Sequence, residues 1–456
     1  VRGGKPSGAM TRDMTRGSPR TLLLGFALPV FLSQVFQQLY NTADALIVSR
    51  CLGDASLAAV SSAGTLIFMM VSFFIGAASG AGVVIARYFG AKDHERVSRA
   101  IHSYLFLALF AGAFLTVVGV LCTPLFLRWM SIDEKIFPLA VSYFRTYFAG
   151  ILAVTLYNVG QGTMNALGDS RHPLYYLILS SVLNVLLDLL FIAVLHGGVR
   201  SAALATILSQ FTSAFLCLAR LAGKRSPYPI RLSRLRFDPE MLRLILKNGL
   251  PAGVQNSVIA FANVIVQTNI NSFGAEATAA FGAYSKIEGF AFLPITSFTM
   301  ALTTFTGQNL GAGEIGRAKS GARFGVLSAV LAAEIIGLFI FAFAPWWIGL
   351  FTKTPSVVAI GTTQCRTIAL FYCLLAFSHS VAAICRGAGR AAVPMLVMLV
   401  CWCLIRVTYI LLIMRVRHEI RFIYMAYPIT WTLSSAVYLA CLLRLDRIFG
   451  TAPERA

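Results

Sequence analysis

The stretch VFLSQVFQQLYNTADALIVS, Val30–Ser49, is long and apolar enough to cross a bilayer, yet it carries Gln34, Gln37, Gln38, Asn41 and Asp44. At about 100° per residue on a helix, these five polar side chains fall within an arc of roughly 120°. A polar face this concentrated does not lie against lipid. It faces other helices, or water inside the protein. An ionisable group at membrane depth is a functional-site candidate, and Asp44 is the first one the chain offers.

The rest of the chain repeats the apolar theme. Its 456 residues are 57% hydrophobic and 12% charged, with a mean hydropathy of +0.76. Soluble domains carry about 25% charged residues, so this is a multi-span membrane protein. A helix needs about 20 apolar residues to cross the hydrocarbon core. Runs of that length predict twelve spans, over roughly 21–49, 55–85, 101–123, 138–163, 173–195, 201–221, 248–273, 277–306, 321–345, 357–385, 393–414 and 422–443. Barrel strands would be about ten residues and alternating, so the expected class is all-α, with twelve transmembrane helices.

A formal charge of +20 would suit a nucleic-acid partner, but its placement argues against one. With both termini in the cytoplasm, lysine and arginine concentrate in the inward segments, as the positive-inside rule requires. The loop MRVRHEIRF, from Met414, is the exception. The excess charge therefore sets orientation in a cell inner membrane and needs no nucleic acid. The nine cysteines lie mostly in apolar spans, form no CxxC, and read as small membrane-compatible residues. The basic N-terminal segment, residues 1–20, is read as a disordered cytoplasmic tail rather than a signal peptide. There is no phosphate-binding loop, since LAGKRS (Leu221–Ser226) lacks both its spacing and its hydroxyl. No catalytic constellation is visible either. Uphill work by this chain must draw on an ion gradient, and the chain is not read as an enzyme.

The chain also resembles itself. Pro29 pairs with Pro251, and then Gly90 with Gly311, Arg96 with Arg317, Pro124 with Pro345, Arg145–Thr146 with Arg366–Thr367, Gly168 with Gly389 and Pro173 with Pro394. The spacing is constant after the first pair. Each half holds six spans, an even number, so both insert the same way up. The pseudo-twofold axis then runs along the membrane normal, with a central cavity between two bundles. This predicts an N-lobe over 21–221, a cytoplasmic linker over 222–247, a C-lobe over 248–443 and a cytoplasmic tail over 444–456. Part of the linker, PEMLRLILK, is read as an amphipathic surface helix. Glycines and prolines shared by the halves are turn and kink positions. Residues present in one half are candidates for the working site.

By that criterion the acidic chemistry is one-sided. Asp44 faces Ile265 or Val266 in the second half, Asn184 faces Ile405, Asp188 faces Tyr409 and Thr206 faces Tyr427. Asn184 and Asp188 are four apart and share a helix face. Two carboxylates, an amide oxygen and a hydroxyl form an oxygen cluster suited to H⁺ or a small hard cation such as Na⁺. The plainer alternative is that the acids pair with amides and hold the bundle together. Lys286 and Glu288 either line the cavity or pair with other groups near a helix end. Arg145 and Arg366 are read as snorkelling to the interface, and His379 as a satisfied intrahelical group. Glu334 has no visible partner.

With these residues on the page, the chain from about Thr21 to Leu443 resembles the multidrug and toxic compound extrusion (MATE) transporters of prokaryotes. The carriers are LPVFLSQVFQQLYNTADALIVSRCLG from Leu28, ARYFGAKDHERVSRA from Ala86, GTMNALGDSRHP from Gly162 and TTFTGQNLGAGEIGRAKSG from Thr303. The resemblance implies a MATE fold of two six-helix bundles. It also implies an antiporter, a monomer in the lipid bilayer, exporting amphipathic organic cations in exchange for H⁺ or Na⁺ without a cofactor. The family's N-lobe cation site falls on Asp44, Asn184, Asp188 and Thr206. Acids on the seventh and tenth spans, present in the NorM-like branch, are missing here, which points to a DinF-like or related subtype. Gln34, Gln37, Gln38, Asn41, Lys286 and Glu288 are then substrate-cavity candidates, with aromatic contacts from Phe36, Tyr40 and Phe68, and Pro29 is the hinge candidate. A lipid-linked oligosaccharide flippase of the same superfamily is the alternative.

Overall fold

In a computed structural model, residues 12–129, 132, 134–224, 226–444 and 448–449 are described, and among them the chain is helical with no strand. The first half comprises α1 (Pro19–Leu52), α2 (Asp54–Gly90), α3 (His94–Trp129), α4 (Phe137–Ala149), α5 (Ile151–Ala166), α6 (Arg171–Asp188) and α7 (Val199–Ala222). The second comprises α8 (Pro239–Asn271), α9 (Ala275–Gly311), α10 (Ile315–Ala342), α11 (Ala344–Gly349), α12 (Pro355–Ile368), α13 (Tyr372–Gly387), α14 (Ala392–Met398), α15 (Arg406–Val416) and α16 (Ile420–Leu443). Eleven spans are long and apolar enough to cross a membrane, and twelve when the bent pair α4–α5 counts as one. The twelve spans read from hydropathy are therefore present, including the tight turn between α15 and α16.

Two compact units result. Of the described residues, one contains Leu32–Leu250 with Arg12 and Asp13, the other Met14–Phe31 with those from Pro251 onward. The change of unit falls within α1 just after Pro29, and within α8 at Pro251. These are the two prolines the repeat pairs. The start of α1 (Leu22, Leu23, Phe26, Ala27, Val30) is packed in the core of the second unit, whereas Val48 near its end lies in a core of the first. A proline in a helix interior removes one backbone hydrogen bond and weakens the helix there.

Turn chemistry is shared by the two repeats, as the paired glycines suggested. Gly53 and Gly274 have φ of 82° and 97°, and Gly168 and Gly389 have 86° and 77°. That left-handed region costs an ordinary residue about 1 kcal/mol or more. At a third pair the second repeat uses Gly313, φ 77°, while the first forces Lys92 to 59°. The bent span repeats as well. In the first half α4 and α5 meet at Gly150 with a 47° bend. In the second, a 3₁₀ turn at Ala369–Phe371 separates α12 from α13. There the Cys373 N–H, which follows that turn, donates to Glu334 Oε2 at 3.1 Å. Glu334, which had no visible partner in the sequence, satisfies the backbone of this broken span.

Two further expectations change. Residues 12–18 of the expected disordered tail are docked: Met14 is fully buried, its N–H donates to Gln308 Oε1 at 2.9 Å, and its carbonyl accepts from Arg317 at 3.1 Å. The GQNLGAGEIGR motif thus holds this segment in the second unit. The linker is irregular only as far as Asp238; from Pro239 the chain is already helical and continues into the seventh span. Its end is fixed by Arg99, which donates to Asp238 at 2.8 and 3.1 Å and to Glu240 at 2.6 Å.

The Arg99 guanidinium, with help from the Met241 N–H, holds the Asp238 carboxyl below its ordinary range. The native value lies below the unfolded one. The contribution of this bond to stability is therefore complete above about pH 4 and is lost as the pH falls through the depressed native value. Asp238→Asn is expected to lower stability at pH 7 by about 1 kcal/mol, allowing for partial solvent screening. The deficit should shrink in strongly acidic buffer. Thermal unfolding of the purified protein across pH checks this, and a deficit that does not change with pH contradicts it.

Candidate functional site

The helix α1 brings Asp44 into the first unit against α6, which carries Asn184 and Asp188. Asn184 and Asp188 are both buried, as their shared helix face implied. The carboxyl groups of Asp44 and Asp188 lie within hydrogen-bonding reach of each other. Two ionised carboxylates are acceptors only, and Asp44 Oδ1 and both Asp188 oxygens have no donor partner among the described residues. Nor do the Asn184 side-chain atoms have partners. No ion pair of the described residues involves Asp44 or Asp188.

Helix α7, which carries Thr206, packs on α6. The Thr206 hydroxyl donates to the Ala202 carbonyl at 3.1 Å, so its oxygen is left as an acceptor. One turn further on, Gln210 Oε1 is buried and unpartnered. Tyr40, beside the polar face of α1, lies close to Asp44, Gln37 and Gln210. Tyr143 on α4 feels the charge of both acids. Apart from the Asn184 amide N–H₂ and the two tyrosine hydroxyls, the groups gathered here are acceptor oxygens, a set that suits a proton or a hard cation.

The sequence-derived residues divide. Asp44, Asn184 and Asp188 come together, and Gln37 joins them through Tyr40. Gln34 and Gln38 are half-buried on α1, and Asn41 is exposed with Gln37. Two contributors were missed, Tyr143 and Gln210. The one-sidedness rule would have found both: their counterparts in the second repeat are Gln364 and Trp431. The Phe68 side chain lies outside the described residues.

The second unit has its own buried polar network, assembled differently. Glu288 accepts from the Tyr284 hydroxyl at 3.3 Å, and that hydroxyl also meets Tyr372 at 3.3 Å. Of the two alternatives for Glu288, pairing with a neighbouring group is the one observed. Lys286 is exposed, two residues away. Arg406, overlooked in the sequence as a lone arginine inside the eleventh span, is buried. It donates to Thr430 Oγ1 at 2.9 Å, and its guanidinium stands 5.0 Å from the Trp402 ring and 4.7 Å from that of Tyr427. His379 corrects the expectation of a satisfied group: it meets Phe292 and Trp402 edge-on, and its Nε2 has no partner. A π-helical turn adjoins the buried charge in each half, Leu189–Val194 after Asp188 and Leu399–Ile405 before Arg406. Such turns are concentrated at functional sites.

Comparison with known proteins matches the MatE family twice, over residues 29–190 and 251–412. The chain belongs to the MatE family. The first match encloses Asp44, Asn184 and Asp188, the second Glu288 and Arg406. Curated relatives include "Probable multidrug resistance protein YpnP" of Bacillus subtilis (strain 168), 30% identical over 83% of this chain and 84% of that protein. The "FAD transporter" of Shewanella oneidensis is 25% identical over 74% and 75%. A solved structure described as the outward-facing conformation of a multidrug resistance MATE family transporter of the MOP superfamily superposes with a TM-score of 0.91 and 25% identity, covering 98% of this chain and 100% of the other. The protein is accordingly a helical membrane transporter with the MATE fold, and not an enzyme.

The facing carboxylates have a stability consequence. Asp188→Asn supplies an N–H to Asp44 and removes one of two facing carboxylates. It is expected to raise the unfolding temperature in detergent by about 1–2 °C, where most substitutions of buried polar groups lower it. A lowered unfolding temperature in an otherwise monodisperse sample contradicts the geometry.

Proposed function

We propose that this transporter is a secondary antiporter that exports amphipathic organic cations in exchange for H⁺ or Na⁺ taken up at the Asp44–Asp188 pocket. The observation that carries this reading is the buried carboxylate of Asp188 beside the half-buried one of Asp44, with acceptor oxygens around them and, among the described residues, no cationic side chain paired to either. A protein interior tolerates such a pair when a proton or cation neutralises it. Asn184 and Gln210 would add neutral oxygens, and Thr206 a hydroxyl oxygen.

In the proposed cycle, an ion entering from outside neutralises the pair and removes the charge that α1 has to accommodate. The helix then shifts about its proline break at Pro29, close to the point where it passes from one unit to the other. That movement expels the substrate, and release of the ion toward the cytoplasm restores the charged pocket. Gln34, Gln37, Gln38 and Asn41 are proposed to line the substrate route, with Lys286 at its margin. The chain works as a monomer in the cell inner membrane with both termini cytoplasmic. The absence of acids on the seventh and tenth spans supports a DinF-like or related mode, with coupling confined to the N-lobe.

The names of the multidrug resistance relatives support export of drug-like compounds. The acidic, amide-rich pocket favours cations over an anionic dinucleotide such as the one named for the Shewanella relative. A flippase for lipid-linked oligosaccharides is not favoured, since a pyrophosphate would need cationic groups where this pocket has carboxylates.

Ethidium efflux from cells lacking their own pumps tests the reading. Asp44→Asn and Asp188→Asn should each reduce the efflux rate at least tenfold at equal expression, about 1.4 kcal/mol or more in the rate-limiting step. Efflux at the wild-type rate in both variants would sink the coupling role.

A further inference from the structure

The first unit holds a second cavity that the acidic pocket does not use. It lies between α4 and α7, has a volume of about 640 Å³, and is lined by Ser142, Arg145, Arg200, Leu204, Ile207 and Phe211 among others. No acidic residue lines it. Arg145 and Arg200 are exposed, and neither forms an ion pair with a described carboxylate.

The spacing gives the cavity two chemically different ends. As fourth and sixth spans, α4 and α7 run in the same direction, and Gly150 at the foot of α4 is packed against Ile207. Counting back from that contact at about 1.5 Å per residue puts Arg145 and Arg200 within roughly 3 Å of the same depth. From Arg200, the residues Leu204, Ile207 and Phe211 continue along one stripe of α7 for about 16 Å. Leu204 and Phe211 are 38% and 44% exposed. Two cations thus sit at one end of an apolar groove on a membrane helix pair.

We infer that this groove binds an anionic phospholipid. Arg145 and Arg200 take the phosphate between them, with the Ser142 hydroxyl as a further donor, and one acyl chain lies along Leu204, Ile207 and Phe211. Arginine forks suit phosphate oxygens, and the apolar stripe supplies what a soluble phosphate could not use. Snorkelling by either arginine alone would place a charge at the interface but would create no preference for one headgroup. The repeat sharpens the point. Arg366 and Arg421 occupy the equivalent positions of the second half, but the Arg366 guanidinium stands over the Phe341 ring at 5.9 Å. The arginine pair is duplicated in sequence, but in the second half one of its guanidiniums is engaged by an aromatic face.

The test is native mass spectrometry of the full chain released from detergent, titrated in parallel with dioleoyl-phosphatidylglycerol, dioleoyl-phosphatidylcholine and inorganic phosphate. The wild type should retain phosphatidylglycerol in preference to phosphatidylcholine and should not retain phosphate alone. R145Q/R200Q should weaken the tightest phosphatidylglycerol adduct by roughly 20- to 30-fold, taking each arginine as worth about one surface charge contact. L204Q/F211Q should weaken it through the chain while leaving the headgroup preference in place. The control R415Q/R417Q, at the exposed end of α15, should leave it unchanged. Equal retention in R145Q/R200Q overturns the site, as does equal retention of the zwitterionic lipid. Retention of inorganic phosphate as strong as that of the lipid overturns the lipid assignment. Monodispersity and unfolding temperature report on folding, and since transport is not the readout, the outcome is separate from that of the coupling proposal.

Discussion

Inside a helix bundle at membrane depth, two carboxylates that meet without a basic partner impose a demand on everything around them. Their mutual repulsion and their desolvation are both unfavourable, and neither can be relieved by rotating a nearby arginine into place. Asp44 and Asp188 are in this position. The amides and hydroxyls around them present further acceptors, as the unpartnered atoms of Asn184 and Gln210 illustrate. Such a pocket is incomplete as a structural ion pair and well suited to an exchangeable proton or cation. Of the polar face of α1, Asp44 enters this pocket and Gln37 approaches it through Tyr40.

The duplicated architecture explains how the fold can carry such a site. Features that both halves need are repeated down to backbone angles: the left-handed turns at Gly53 and Gly274, and at Gly168 and Gly389, and the break in the fourth span of each repeat. Buried charge is not repeated. The first half has a pair of acids; the second has Arg406 held between aromatic faces, with Glu288 tied to Tyr284. The halves share a scaffold and differ in the charge that their interiors hold. The π turns beside Asp188 and before Arg406 locate the charged positions at places where helical hydrogen bonding is already relaxed.

Much of this was legible in the sequence because its physics is local or periodic. Span lengths follow from apolar runs, the polar arc of α1 follows from helical spacing, and the shared face of Asn184 and Asp188 follows from a separation of four. The repeat located the turns and isolated the acids without any other protein for comparison. What was not legible depends on contacts between distant segments. The docking of Met14 against Gln308 and Arg317 gave no signal in a basic, polar tail. Glu334 needed a broken helix elsewhere before its partner, the Cys373 N–H, existed. Tyr143 looked like one aromatic among many until α4 was folded against the acids. The boundary of the first unit inside α1 is of the same kind: Pro29 was visible as a kink, but not as the neighbourhood in which the helix changes unit.

The most direct test of the account is transport by the purified protein in proteoliposomes under an imposed pH or Na⁺ gradient, with the wild type compared to the Asp44→Asn/Asp188→Asn double variant. The account predicts that at least one of the two gradients drives organic-cation movement by the wild type, and that neither does so through the double variant. Gradient-driven transport by the double variant at the wild-type rate would contradict it.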